Sequence, residues 1–148
     1  LDLAALARSL VPLYADVASE KKASVKLEAS GPVMMRGSSA QMGRLIANLL
    51  DNAVKFLPEG GEVKLIVREG PVLIVEDDGP GVPADWRERV FMRFARIQRG
   101  DGPRGHGLGL SFVHAVARRH GLTIEVEDAR PGEARPGARF IVRPAGAA

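Results

Sequence analysis

The chain has 148 residues, a formal net charge of +3 and no cysteine. Its length fits one domain with one core, and the lack of cysteine excludes disulfides and cysteine–metal sites and favours a reducing compartment. No apolar run is long enough to span a membrane. With one Trp, one Tyr and five Phe, the chain has few aromatic platforms for bases, so we expect no nucleic-acid partner.

The chain begins with Leu1 rather than Met, so we expect it to be part of a longer protein. We expect this part to be cytoplasmic, with any membrane anchor or sensor upstream of it.

Hydrophobic periodicity predicts a helix over residues 2–20, in which Pro12 favours a kink or break. The apolar face of that helix is predicted to consist of Leu3, Leu6, Leu10, Leu13 and Val17. Alternation predicts short strands over residues 24–28 and 33–36.

A second helix is predicted to begin after Ser38, which forms a capping box with Gln41, and to end before Pro58. Residues 62–68 alternate as a strand. Residues 72–75 are apolar throughout, which is typical of a central strand. A sharp turn follows at residues 77–81.

The rest of the chain is predicted to hold two helices, one lid and two strands. A short helix follows Pro83, and residues 96–105 have no hydrophobic period and form a candidate lid loop. Residues 109–120 form a helix whose inner face carries Leu110, Val113, Val116 and Ala117, with Gly121 as its C-terminal stop. The remaining segments are two strands over 122–128 and 138–143 and a frayed tail over 144–148.

This order of elements predicts an α+β fold of one domain over residues 1–143. We expect a two-layer α/β sandwich, with a mixed, mostly antiparallel sheet and helices packed on one of its faces. The other face should be more polar, as Lys26, Glu28, Lys64 and Arg68 indicate.

Four polar residues form a stripe along one face of the second helix. Asn48, Asp51, Asn52 and Lys55 stand at i, i+3, i+4 and i+7. A solvated face rarely uses Asn, which has a poor helix propensity, so the stripe suggests ligand contact. The Asn52 side-chain oxygen suits Mg²⁺, which takes few protein ligands in nucleotide sites. Lys55 has two equally open roles, contact with a phosphate or pairing with Asp51.

Asp77 follows the apolar strand and precedes Gly79 and Gly81. A carboxylate there can accept a hydrogen bond from an exocyclic amine, while the glycines let a flat ring approach the backbone. An ordinary Asp-Gly turn after a strand is an equally good interpretation of these residues taken alone.

A second glycine-rich segment, residues 105–110, opens the third predicted helix, whose free N–H groups suit a phosphate chain. A flexible loop is the structural alternative. A Walker A loop is excluded because no Lys stands at the required place. A dinucleotide fingerprint is disfavoured because no strand leads into the segment, although Glu125 lies at a suitable distance. The histidines lack ligand-like spacing, and we interpret His114 and His120 as structural.

Taken together, these segments resemble the catalytic ATP-binding domain of bacterial sensor histidine kinases, in the superfamily shared with gyrase. Residues 48–56 resemble the family's N box, 77–81 its G1 box, 91–94 its F box and 105–110 its G2 box. The resemblance covers nearly the whole chain and implies a Bergerat-type ATP-binding fold with ATP and Mg²⁺ as cofactors.

The resemblance also implies roles for individual residues. Asp77 would bind the adenine amino group, Asn52 would hold Mg²⁺, and Asn48 and Lys55 would lie near the phosphates. The other implied nucleotide-binding residues are Gly79, Gly81, Phe94, Arg96, Arg99, Arg104, Gly105, Gly107, Leu108, Gly109 and Leu110. Of these, the arginines are lid candidates for the γ-phosphate.

One position favours phosphoryl transfer over hydrolysis. The ATP-hydrolysing relatives commonly have Glu where this chain has Asn48, and an amide cannot activate water. The chain departs from the family at Asp78, where Asn is frequent. It also lacks the family's His followed by an acidic residue. We therefore expect a separate histidine phosphoacceptor domain, a response regulator partner, a monomeric fragment and a homodimeric full protein.

Two other interpretations remain open. One is a serine kinase or anti-sigma factor of the same superfamily, which phosphorylates a partner's Ser. The other is a non-catalytic nucleotide-binding scaffold, against which Asn52, Asp77 and the glycines at 105, 107 and 109 count.

Overall fold

The computed structural model describes residues 1–93 and 109–146. Its helices are α1 (Leu3–Ser19), α2 (Ser39–Lys55) and α3 (Gly109–Arg119), and two short 3₁₀ turns follow Pro83 at Ala84–Trp86 and Arg89–Phe91. Its strands are β1 (Ser24–Ala29), β2 (Glu62–Arg68), β3 (Val72–Asp77), β4 (Leu122–Asp128) and β5 (Ala138–Pro144). The predicted elements within the described residues are confirmed, with one exception given below.

The strands form one mixed sheet in the order β1-β2-β3-β5-β4. β1 and β2 are parallel and the other neighbours are antiparallel. The parallel pair exists because α2 carries the chain back across the sheet between β1 and β2, as a parallel connection requires. β3 is the central strand, as its apolar sequence predicted, and the α+β two-layer sandwich is confirmed.

The core lies between the helices and one face of the sheet. From the sheet, Leu65, Val75 and Phe140 are fully buried, and from α2, Leu45 and Leu49 are fully buried. Burial of this apolar face fixes the rotation of α2 about its axis, because Leu45 and Leu49 must point at the sheet. The polar stripe of the same helix therefore points away from the core.

The outer face of the sheet is only partly polar. Ion pairs such as Lys64–Glu28 and Arg139–Glu76 cover it, in agreement with the prediction. Beneath them, however, Ile66, Ile74 and Ile141 form a small apolar cluster with exposures of 6 to 9%. Long charged side chains can cover apolar surface with their stems, which explains how this face combines both characters.

The predicted inner face of α1 is wrong at its C-terminal end. Leu13 is 60% exposed and Val17 is 43% exposed. The buried face instead runs through Leu3, Ala4, Ala7 and Ala18. The predicted stripe has a period of 3.5 residues and lies along the flank of this face, whereas small alanines let α1 pack closely on the core. Pro12 lies inside a continuous helix.

Residues 33–36 do not form the predicted strand. They make a single bridge, Asp2 with Met34, flanked by the bonds from Leu3 N to Val33 O and from Met35 N to Leu1 O. The pairing stops there because the chain turns into α1, whose N-terminus is capped by the Asp2 carboxylate.

Two contacts fix the ends of α2. At the N-terminus, Ser38 Oγ accepts a hydrogen bond from Gln41 N, as the capping box predicted. The second half of that box differs, because Ser38 N donates to Nε2 of His120 at 3.1 Å. At the C-terminus, the ammonium group of Lys21 donates to the carbonyl oxygens of Val54, Lys55 and Leu57 at 2.9, 3.0 and 3.4 Å.

The expected tail begins later than residue 144. β5 includes Pro144, and Ala145 N donates to Gly121 O. The candidate lid over residues 96–105 lies outside the described residues. In the part of the chain that is described, no helix is both long and apolar enough to cross a membrane.

Candidate functional site

The polar stripe of α2 borders a cleft of about 630 Å³ between α2 and α3, a size typical of small-molecule sites. Its lining residues are Arg44, Asn48, Asp51, Lys55, Arg93, Gly109, Ser111, Phe112 and Ala115. Three of these are cationic and one is a carboxylate. Such an excess of positive charge attracts a polyanion, and arginine and lysine side chains are the usual partners of phosphate.

Asn48 joins the two helices that form this cleft. Its side-chain Nδ2 donates to the carbonyl oxygen of Gly109, the first residue of α3, at 3.5 Å. The N-terminus of α3 therefore faces the cleft, and the free N–H groups of a helix N-terminus bind anions. Leu110, one residue on, is half-buried and packs against the core.

Lys55 and Asp51 form an ion pair at 3.5 Å, with side chains that are 38% and 57% exposed. Both residues line the cleft. The structure therefore contains the pairing that the sequence left open, and it places Lys55 on the wall of the cleft.

Asn52 lies one helical turn from Asn48 and is half-buried. It is not among the residues that line the cleft. Within the described residues, none forms a hydrogen bond with its side chain, so its amide oxygen can bind a cation. The described residues also contain no cluster of three or more His, Asp or Glu that would suit a metal.

Asp77 is the buried charged residue of the site, with an exposure of 5%. Its Oδ1 accepts hydrogen bonds from Gly79 N at 2.8 Å and Ala138 N at 3.3 Å. Its Oδ2 accepts no hydrogen bond from the described residues. Burial raises the pKa of Asp77 to about 6, against the lowering effect of the two N–H donors. Above that pH Oδ2 is a strong acceptor for an amine.

Two glycines of this turn are required by space or conformation. A Cβ at Gly79 would lie 2.9 Å from Asp77 Oδ1 and 3.0 Å from Phe56 O. Gly81 has φ +80°, in the left-handed region, and packs against Pro136. The contact with Phe56 places the turn at the C-terminal end of α2, so the stripe of α2 leads from Asp77 towards the cleft.

The turn between β4 and β5 also contributes to the site, which sequence reasoning missed. Gly137 N donates to Gly79 O at 3.0 Å, and a Cβ at Gly137, which has φ +69°, would lie 2.1 Å from Asp77 O. Arg130 of the same turn pairs with Asp78 at 3.0 Å. The repeated Pro-Gly pairs at 131–132 and 136–137 were a signal of a tight turn, but not of its contact with residues more than fifty positions earlier.

Several predicted residues cannot be placed. Phe94, Arg96, Arg99, Arg104, Gly105, Gly107 and Leu108 lie outside the described residues. Of the predicted F box, Phe91 is described: its ring stacks on His114 at 6.0 Å between centroids and meets Phe140 edge-on at 6.2 Å. Phe91 therefore packs against the core.

Together, the described residues offer a buried acceptor beside the C-terminal end of α2 and a positively charged cleft that runs along the helix from Lys55 to Arg44. Asn48 and Lys55 are seven residues apart, so the stripe is about 10 Å long at 1.5 Å per residue. This arrangement suits an elongated ligand with an amine-bearing ring at one end and an anionic chain at the other.

Residues 37–147 match the family described as histidine kinase-, DNA gyrase B- and HSP90-like ATPase. Over 115 residues, or 75% of this chain, the sequence is 42% identical to the signal transduction histidine-protein kinase/phosphatase MprB of Mycobacterium avium. The matched stretch is 22% of that relative, so the chain spans about a fifth of its length.

Solved structures give the same result for the fold. A structure of a mycobacterial sensor histidine kinase MprB matches with a TM-score of 0.85 and 30% identity, over 97% of each chain. The ATP binding domain of PrrB from Mycobacterium tuberculosis matches with a TM-score of 0.67 and 25% identity, over 100% of this chain and 96% of that one. Sequence and structure therefore lead to the same group of proteins.

Proposed function

Since this chain belongs to the histidine kinase-, DNA gyrase B- and HSP90-like ATPase family, we propose that it is the ATP–Mg²⁺-binding catalytic domain of a sensor histidine kinase. It transfers the γ-phosphoryl group of ATP to a histidine on a separate dimerisation and phosphoacceptor domain, from which the group passes to an aspartate of a response regulator. The observation that carries the proposal is the buried Asp77 at the end of the α2 stripe, with one oxygen that accepts no hydrogen bond from the described residues.

In this proposal, Asp77 Oδ2 accepts the hydrogen bond from the adenine amino group, and Gly79 and Gly81 let the ring approach the backbone. The phosphate chain lies along α2 towards Asn48 and Lys55. Electrostatic stabilisation and positioning account for most of the catalysis in phosphoryl transfer, and the cations of the cleft supply the charge.

Asn48 supports transfer to a protein rather than hydrolysis. Its amide donates to Gly109 O and cannot take a proton from water. In the proposed mechanism Asn48 therefore positions the start of α3 beside the phosphates and leaves the nucleophilic role to the acceptor histidine.

Asn52 fits a magnesium ion, because it is half-buried on α2 between Asn48 and the Asp77 turn and no described residue hydrogen-bonds its side chain. Asn52 would hold the ion through its amide oxygen, and phosphate oxygens and water would complete the coordination. When bound, Mg²⁺ neutralises charge on the phosphates.

Calorimetric titration with ATP, with and without Mg²⁺, tests the proposal. We expect Mg²⁺-dependent binding to the wild type and a loss of at least about 100-fold in affinity for Asp77→Asn, because an amide nitrogen would oppose the adenine amine. Asp16→Asn on the exposed surface of α1 is the matched control and should bind like the wild type. Equal affinity for the wild type and Asp77→Asn would refute this site.

Phosphotransfer assays separate the remaining alternatives. Incubation with ATP and an added phosphoacceptor domain from a sensor kinase should give an acid-labile phosphohistidine on that domain. Acid-stable phosphoserine on a partner protein would instead identify a serine kinase, and binding without any transfer would indicate a nucleotide-binding scaffold.

A further inference from the structure

An ion pair between Asp78 and Arg130 links the Asp77 turn to the β4–β5 turn. Asp78 Oδ1 pairs with Nη1 of Arg130 at 3.0 Å, and the side chains are 36% and 37% exposed. The other carboxylate oxygen of Asp78, Oδ2, accepts a hydrogen bond from Glu62 N at 2.7 Å. Asp78 therefore contacts both neighbours of β3 in the fold, the start of β2 and the turn before β5.

Arg130 is held in place by its own turn. Its backbone N donates to Pro136 O at 2.8 Å. Its guanidinium also contacts Glu133 through Nε at 3.4 Å and Arg135 O through Nη2 at 3.5 Å. These contacts hold the partly exposed guanidinium beside Asp78.

This ion pair is important because Asp77 and Asp78 are two successive carboxylates. A neighbouring negative charge disfavours the ionised form of a buried acid. For Asp77, burial is the main cause that raises the pKa, and the hydrogen bonds from the N–H groups of Gly79 and Ala138 lower it. Of the two charged neighbours, Asp78 raises the pKa and Arg130 lowers it by a smaller amount.

Other charged groups near Asp77 are paired among themselves. Glu62 pairs with Lys26 at 3.1 Å, and Arg87 pairs with Asp128 at 3.0 Å. On the outer face of the sheet, Lys64 and Arg139 pair with Glu28 and Glu76. Among the described residues, Arg130 is the cation that pairs with Asp78 and lowers the pKa of Asp77.

We propose that Arg130 is a positioning residue for nucleotide recognition: its ion pair with Asp78 at 3.0 Å offsets the second negative charge of the turn, so that the Asp77 carboxylate can accept the hydrogen bond from the purine amine. This inference rests on the proposed function, because the charge of Asp77 has a role only if Asp77 binds a purine amine. It also explains how the chain tolerates Asp78 beside a buried carboxylate.

The test is the pH dependence of Mg–ATP affinity, measured by calorimetry between pH 5.5 and 8.5. Wild-type affinity should fall as the pH drops through about 6, where Asp77 gains a proton. In Arg130→Met the midpoint should move up by about 0.5 pH unit, which makes binding about threefold weaker at pH 5.5 and nearly unchanged at pH 8.5.

Four further variants complete the design. Asp78→Asn should move the midpoint down, because it removes the neighbouring charge, and the double variant Asp78→Asn/Arg130→Met should lie between the single ones. Arg130→Lys, which keeps the charge, should stay close to the wild type. Arg135→Met removes an exposed arginine of the same turn and is the matched control, with an unchanged midpoint.

A loss of affinity in Arg130→Met that is equal at every pH would mean that Arg130 only supports the fold, and would overturn the inference. If Arg130→Met does not fold, an unchanged midpoint in Asp78→Asn overturns it instead. Failure of the proposed function gives a different result, namely no Mg–ATP binding by the wild type at any pH or full binding by Asp77→Asn.

Discussion

At the residue scale, Asp77 is where function opposes stability. A buried carboxylate loses hydration, and two backbone N–H donors replace only part of it. A neutral side chain of the same shape would fit the folded protein better. The presence of a charged residue here is therefore best explained by a ligand whose hydrogen bond Oδ2 accepts.

We accordingly expect Asp77→Asn to stabilise the fold at pH 7.5 while it abolishes nucleotide binding. The folded-state pKa of Asp77, about 6, is above its ordinary value of 3.8, so ionisation weakens the folded state as the pH rises between these values. The gain should approach about 1–3 kcal/mol above pH 6 and shrink towards pH 4. Urea unfolding of both proteins at pH 7.5 and 4.5 measures it, and a variant less stable than the wild type at pH 7.5 would contradict this expectation.

At the element scale, the candidate site depends on a fixed position of α2, because α2 carries the whole polar stripe. His120 accepts from Ser38 N through Nε2, while its Nδ1 lies 2.8 Å from Val116 O and so carries the proton. Lys21 binds the last carbonyls of the helix at the other end. Each contact comes from an element outside α2, which fixes the helix along its axis.

Lys21→Met should lower the free energy of unfolding by about 1–2 kcal/mol, because it leaves carbonyls at the end of α2 without their cation. Lys22→Met is the matched control: Lys22 is 82% exposed and pairs with Glu59 at 3.7 Å, so its loss should cost less than about 0.5 kcal/mol. Urea unfolding compares the two. Equal losses in both variants would show that the Lys21 contacts add nothing to stability.

At the scale of the whole molecule, the proposed function needs an acceptor histidine, and the two described histidines are engaged in the fold. His114 stacks on Phe91, and both ring nitrogens of His120 have partners within the fold. His106 lies outside the described residues. The histidine kinase proposal accordingly places the acceptor on a separate domain.

We therefore expect this chain alone to bind Mg–ATP as a monomer and to remain unlabelled by γ-labelled ATP. Addition of a phosphoacceptor domain should restore transfer, since proximity of the two reacting groups is what the isolated domain lacks. Gel filtration and acid-labile label are the measurements. Stable acid-labile label on this chain in the absence of any partner would refute the expectation.

Much of the fold was predictable from local patterns. The run Val72 to Val75 predicted the central strand, and Ser38 predicted the start of α2. The hydrophobic pattern predicted the wrong inner face for the C-terminal part of α1, because packing against distant residues determines that face. Leu13 and Val17 are exposed because the alanines of α1 make the closer contact with the core. The predicted strand over residues 33–36 also did not form, because its partner segment continues into α1 and the β-pairing ends there.

The sequence alone determined the order of elements, the polar stripe of α2 and the family, because helix and strand periodicity and the spacing of the four motifs are local properties. Only the tertiary structure decided how Asp77 is held, since its partners Ala138, Gly137 and Arg130 lie more than fifty residues away along the chain. The charge state of Asp77 depends on burial and on those neighbours, and neither exists until β4 and β5 pack beside β3.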